Sequence, residues 1–143
     1  MKNNICIIIV TYNSSIYIDN LFNSLLKQNN PKFEIVVIDN NSNDDTINKL
    51  SKYMKKEKRI HLIKNNRNLG FSKANNIGIN YSIDNFNPDY FLLLNHDTVV
   101  ENNLLATLIF WENYFDNSAA LSPMILIKNN NKIWWVGTKI FRI

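Results

Sequence analysis

The chain has 143 residues, 45% of them apolar and 20% charged, a balance that fits one ordinary folded domain and excludes a disordered one. Its formal charge of +4 comes from scattered lysines and one run, KYMKKEKR at 52–59, that suits the exposed end of a helix, so no nucleic-acid partner is expected. The single cysteine, Cys6, excludes a disulfide framework, and no apolar stretch approaches the roughly 18 residues that cross a bilayer.

Short runs rich in branched apolar residues alternate with helical patterns. ICIIIV (5–10), FEIVVI (33–38), IHLI (60–63) and YFLLLN (90–95) predict strands covered on both faces, with YFLLLN central. Between them, Ile18, Leu21, Phe22 and Leu25 repeat at helical spacing behind Ser14 and Ser15. Asp44, Asp45 and Thr46 open a helix over about 46–57, the two acids acting as its caps. Ala74, Ile77, Gly78 and Tyr81 form a packing face in a third helix. Leu104, Leu108, Trp111 and Phe115 share one face of a fourth. From about 118, ALSPMILIK and KIWWVG read as strands joined by an NNN turn, a β-rich extension to an α/β half over about 1–117. The expected architecture is therefore a single three-layer α/β/α domain with a mainly parallel central sheet.

In such sheets ligands sit at the carboxyl ends of the strands. The first strand ends in Thr11-Tyr12-Asn13, the second in Asp39-Asn40-Asn41-Ser42, the third leads to Asn68-Leu69-Gly70-Phe71, and the fourth ends in Asn95-His96-Asp97. One such group is ordinary turn chemistry, but four on one rim point to a ligand site. With only Gly70, Gly78 and Gly137, the chain has neither a dinucleotide-binding glycine fingerprint nor a P-loop, and it has no G-x-S-x-G elbow for a serine hydrolase. Without glycine loops, a bound diphosphate calls for a divalent cation on a strand-end carboxylate.

Four segments, IIIVTYNS, EIVVIDNNSNDDT, NNRNLGFSKANNIGI and YFLLLNHDTVV, resemble the successive landmarks of family 2 glycosyltransferases, which are inverting enzymes of the GT-A fold. They are most similar to bacterial rhamnosyltransferase-like members of surface polysaccharide assembly, which read N-x-D-T where others read D-x-D. The resemblance runs from residue 5 to about 127. It implies that Thr11, Tyr12 and Asn13 lie beside the base and ribose of a nucleotide-diphosphosugar, and that Asp39, next to Asn40, accepts the imide N–H of uracil or thymine, as an acceptor-only carboxylate can. It places Gly70, Lys73, Asn75, Asn95 and His96 at the donor and gives Asp97 to Mg²⁺ or Mn²⁺ on the diphosphate. Gly70 is expected to allow a positive φ or a close backbone approach.

The implied reaction is displacement at the anomeric carbon of a TDP- or UDP-sugar by a hydroxyl of a saccharide or lipid-linked acceptor, which needs a general base. The family draws that base from an acidic stretch well downstream, and no acid follows Asp116 here. The chain therefore reads as a donor-binding part cut short on its carboxyl-terminal side; the alternative is a non-catalytic nucleotide-sugar or partner-binding module. The expected location is cytoplasmic, with room for peripheral contact at the inner membrane face and for a homodimer. Trp134 and Trp135 are either sugar-stacking residues or core and interface, and His61 is expected to be structural.

Overall fold

The structure, a computed structural model, describes residues 4–29, 32–115, 120–128 and 130–136. Its elements are β1 (Ile5–Thr11), α1 (Ser15–Leu25), β2 (Phe33–Asp39), α2 (Thr46–Lys56), β3 (Ile60–Lys64), α3 (Phe71–Phe86), β4 (Tyr90–Asn95), α4 (Leu104–Tyr114), β5 (Ile125–Leu126) and β6 (Ile133–Trp135). The first four strands form one parallel sheet in the order β3-β2-β1-β4, and β5 pairs antiparallel with β6.

Strand alternation sorts the core into two layers. Ile5, Ile7 and Ile9 of β1 pack with Ile35 and Val37 of β2 against Ile18, Leu21, Phe22 and Leu25 of α1, Leu50 of α2 and Leu105 of α4. The intervening residues, Cys6, Ile8, Val10, Val36 and Ile38, face α3 through Ala74. Each of the fully buried aliphatic side chains contributes about 1.5–3 kcal/mol of transfer free energy. α3 lies close to the sheet because Gly78 has no side chain: a Cβ there would stand 2.5 Å from Ile38 Cδ1 and 2.7 Å from Ile8 Cγ2. The packing face expected at Ala74, Gly78 and Tyr81 is thus real, whereas Ile77 is only partly buried and belongs to neither core layer, where Ile79 packs instead.

One expectation is corrected and a second, borne out, is made more specific. YFLLLN is not central: among the described residues β4 is the edge strand beside β1, and its side chains alternate between half-buried and exposed, with Leu93 50% exposed. A continuous apolar run reads as burial on both faces, but β4 meets the α1/α4 layer with Tyr90, Leu92 and Leu94 only. The second concerns α4. Leu105 is its buried residue and Ile109 packs beside it, whereas Leu104, Leu108, Trp111 and Phe115 line a groove of about 450 Å³ with Leu121, Pro123 and Met124. The helical face is genuine, but it looks into the groove. The hairpin agrees with the reading, apart from Asn129 and Gly137, which lie outside the described residues.

The strand order also positions the site. The chain steps outward from β1 through β2 to β3, then crosses back to place β4 on the other side of β1. In α/β sheets ligands sit at the carboxyl ends of the strands beside such a reversal, which here falls at β1 and β4.

Candidate functional site

Register brings the strand ends onto one rim. Val10 pairs with both Ile38 and Asn95, and in the next row Thr11 pairs with Asp39 and Asp39 with Lys64. Asn95 therefore lies two strand spacings from Ile38, about 10 Å.

On the β1–β2 half, Asp39 is 2% exposed and almost fully committed. Its Oδ1 accepts the Thr11 hydroxyl at 2.9 Å and the Ser42 hydroxyl at 2.5 Å, and its Oδ2 accepts the Ser42 amide at 2.9 Å. A carboxylate has about four lone-pair positions, which leaves one, on Oδ2. The two loops above β1 and β2 are then joined by direct bonds. The Asn13 amide donates to the Ser42 hydroxyl oxygen and the Asn43 amide to Asn13 Oδ1. The Ser14 amide donates to Thr46 Oγ1, and the Ser15 amide to Asp44 Oδ2. Asn13 (φ 49°) and Asn41 (φ 67°) take left-handed turns that Asn tolerates better than most side chains.

Asp44 does what a cap should, for two helices at once. Its Oδ1 accepts the amide and hydroxyl of Thr46 at the start of α2, while Oδ2 serves the start of α1. Partial burial pushes its pKa up, but the hydrogen bonds from Thr46 and Ser15 outweigh that and hold it at about 2. Asp45, expected as a second cap, instead accepts the Asn48 amide group at 2.7 Å. Ser14 likewise bonds Tyr12 rather than a free amide of its own helix.

Asn40, 2% exposed, ties this half to the loop before α3. Its amide donates to Thr11 O at 2.8 Å, its Nδ2 to Gly70 O at 3.3 Å, and its Oδ1 accepts Asn65 Nδ2 at 2.9 Å. Gly70 has φ 79° and ψ 172°, a region essentially closed to other residues. A Cβ at Gly70 would meet nothing within 4 Å, so the need is for backbone conformation and not for space. Asn75 is buried and donates to Phe71 O in its own helix, whereas Lys73 is exposed with no bonded partner among the described residues. Tyr12 is 45% exposed on the rim.

The β4 half is different. Asp97 is exposed, and no hydrogen bond or ion pair reaches its carboxylate among the described residues. Asn95 is also exposed, its backbone carbonyl accepting the Thr98 hydroxyl at 2.7 Å. His96 Nδ1 lies 3.1 Å from Val10 O, and the ring tilts against Tyr17 with centroids 5.6 Å apart. Beyond Asp97, the Val100 amide donates to Ser24 Oγ, and Gln28 takes Glu101 O through Nε2 and the Leu105 amide through Oε1.

The four expected strand ends therefore meet on one rim. Sequence reasoning missed Asn65, Ser24 and Gln28, and read Ser14 and Thr46 only as helix-opening residues and not as partners of one another. Of the tryptophans, Trp134 is 67% exposed and Trp135 half-buried; His61 Nε2 meets Glu34 Oε2 at 2.9 Å, a structural pair.

A divalent cation can be tested against this donor set. Among the described residues no three His, Cys, Asp or Glu side chains come together, so a resident metal cage is absent from them. One exposed carboxylate beside an amide oxygen does fit an ion that arrives with a diphosphate, since Mg²⁺ takes one or two carboxylates plus phosphate oxygens and water.

Comparisons with known proteins bear on the family and the fold. The chain is 34% identical over 120 residues to the dTDP-rhamnosyl transferase RfbF of Shigella flexneri, covering 84% of the chain and 37% of the relative. The solved structure of S. aureus TarS 1-349 in complex with UDP superimposes with a TM-score of 0.68 at 24% identity, over 90% of this chain and 43% of that one. A mannosyltransferase from Pyrobaculum calidifontis, in complex with GDP-Man and Mn²⁺, gives a TM-score of 0.68 at 20% identity, over 78% of this chain and 33% of that one. At these identities the two structures establish the fold, which is GT-A. The chain spans between 37% and 41% of the length of the curated relatives it matches first. The sequence model described as Glycosyl transferase family 2 matches residues 6–142, nearly the whole chain, and the chain belongs to that family.

Proposed function

We propose that this chain binds a nucleotide-diphosphosugar, a TDP- or UDP-sugar, across the rim, as the donor site of an inverting transferase acting on a saccharide or lipid-linked acceptor in surface polysaccharide synthesis. The observation that carries the reading is Asp97: an exposed carboxylate without a partner among the described residues, at the carboxyl end of β4, beside the point where the strand order reverses.

The base and ribose are assigned to the β1–β2 half. Asp39 retains one acceptor position, on Oδ2, which suits the single imide N–H of uracil or thymine. Tyr12 and Asn13 rim that position, with Thr11 holding the Asp39 carboxylate from below. Asn40 supports Gly70 and the start of α3, beside which Lys73 is free to meet a phosphate. Asn75, within α3, stands behind them. Asp97, with Asn95 as a neutral oxygen donor, would hold a Mg²⁺ or Mn²⁺ ion that arrives with the diphosphate. A cation bound there supplies charge neutralisation to the departing nucleoside diphosphate. The residues of the chain thus bind and orient the donor; the proton acceptor for the incoming hydroxyl is assigned to none of them.

The family, the rhamnosyl transferase relative and the nucleotide complexes of structural neighbours support this reading. Calorimetric titration with TDP, UDP and GDP, each with Mn²⁺ or with EDTA, tests it. Binding of TDP or UDP that weakens at least about tenfold in EDTA is expected, given the several kcal/mol a cation contributes on a diphosphate. No binding of any of the three, or binding indifferent to the cation, would contradict the proposal.

A further inference from the structure

The tip that carries Asp97 has little holding it, and what does hold it is largely one side chain. Between the end of β4 and the Val100 amide, the side-chain bonds from elsewhere in the fold reduce, among the described residues, to His96 Nδ1 on Val10 O, 3.1 Å away, with the Tyr17 ring leaning on the imidazole. A carbonyl oxygen only accepts, so Nδ1 carries the proton. Val10 is the register partner of Asn95, and the imidazole therefore reaches back to the last rung of the β1–β4 ladder. It ties the turn to the most buried strand of the sheet. Asp97 follows directly, exposed and unpartnered among the described residues.

We propose that His96 is a positioning residue for Asp97: its Nδ1–H to Val10 O sets where the carboxylate stands, and its role is not a contact with the donor. The inference rests on the proposed cation site at Asp97 and goes beyond it. The geometry requires one donor at the Nδ1 position. Asparagine can supply that donor through Nδ2, whereas glutamine places its amide where Nε2 would be.

Three variants of the chain, His96→Ala, His96→Asn and His96→Gln, separate the possibilities with two measurements. The first is the Mn²⁺ dependence of TDP or UDP binding. Supporting groups around a metal ligand typically affect affinity ten- to a hundredfold, so His96→Ala and His96→Gln should weaken Mn²⁺-dependent binding about tenfold or more, and His96→Asn should restore it to within about threefold. The second is amide hydrogen exchange of Val100, whose amide donates to Ser24 Oγ at the far end of the tip, in the protein alone. It should quicken about tenfold in His96→Ala and return toward the parent rate in His96→Asn, as expected for a local opening that one hydrogen bond of about 1.4 kcal/mol restrains. Unchanged exchange in His96→Ala overturns the proposal, and so does rescue of binding by glutamine in place of asparagine, which would assign His96 a direct contact through Nε2. Failure of the unsubstituted chain to bind either nucleotide overturns the functional reading instead, and exchange alone then decides the anchor.

Discussion

Asp39 and Asp44 on one half of the rim and Asp97 on the other are the same kind of group in opposite circumstances. The first two are wrapped in amides and hydroxyls from two loops, whereas Asp97 faces solvent with no partner among the described residues. A carboxylate whose lone pairs are filled from within organises backbone. One whose lone pairs are open is available to a ligand. The two halves should therefore respond differently to substitution, the first in stability together with any loss of base recognition, the second in binding alone.

The largest effect expected is on binding. Asp97→Ala should weaken Mn²⁺-dependent TDP or UDP binding by at least about tenfold, while its unfolding free energy stays within about 0.5 kcal/mol of the parent because nothing internal is lost. Titration calorimetry and urea denaturation check the pair of outcomes; a marked stability loss would erase the contrast between the halves. Asp39→Ala should cost stability as well as the acceptor proposed for the base imide. It strands the Thr11 and Ser42 hydroxyls and the Ser42 amide, Thr11 being fully buried. The expected cost is about 3 kcal/mol in urea denaturation, as for other charged hydrogen-bond acceptors removed from an interior.

Gly70→Ala comes next, at about 1–3 kcal/mol from backbone strain alone, since φ 79° with ψ 172° is a glycine region and the space for a methyl is open. Gly70→Asn should fare no better, because asparagine's tolerance is for the left-handed helical region and not for this one; thermal unfolding of both variants checks this. The smallest effect belongs to Asp44, which is exposed. Its pKa in the folded chain, about 2, lies below the ordinary 3.8. Its contribution is thus fully present above about pH 4 and is lost as the pH falls toward 2. Asp44→Asn should cost no more than about 1 kcal/mol near neutrality, given solvent screening, and the difference from the parent should vanish by about pH 2. A difference that persists there would show that the loop clip does not depend on the charge.

Much of this fold could be read in the sequence. IIIV and IVVI are apolar without interruption because β1 and β2 are covered on both faces, and the polar groups that follow them do share an edge. YFLLLN is apolar too but has a different place, at the edge beside β1 among the described residues, because composition reports apolar surface and not which neighbour covers it. The residues that hold the rim were less legible for a similar reason. Gln28 and Leu105 are 77 positions apart, and Ser24 and Val100 are 76 apart; a serine within a helix or a glutamine just after it carries no local sign of such a partner. Asn13, Asp39 and Asp97 were visible because each interrupts an apolar strand, and that interruption is a local signal.

The central claim is that the cation belongs to the open half of the rim, and paramagnetic broadening of amide resonances by Mn²⁺ in the presence of TDP or UDP tests it most directly. The account predicts that the amides of Asp97 and Thr98 broaden first, that those of Asp44 to Thr46 stay sharp at the same Mn²⁺ concentration, and that Asp97→Ala removes the effect. Broadening centred on Asp44 and Asp45, or broadening at the tip that survives Asp97→Ala, would contradict it.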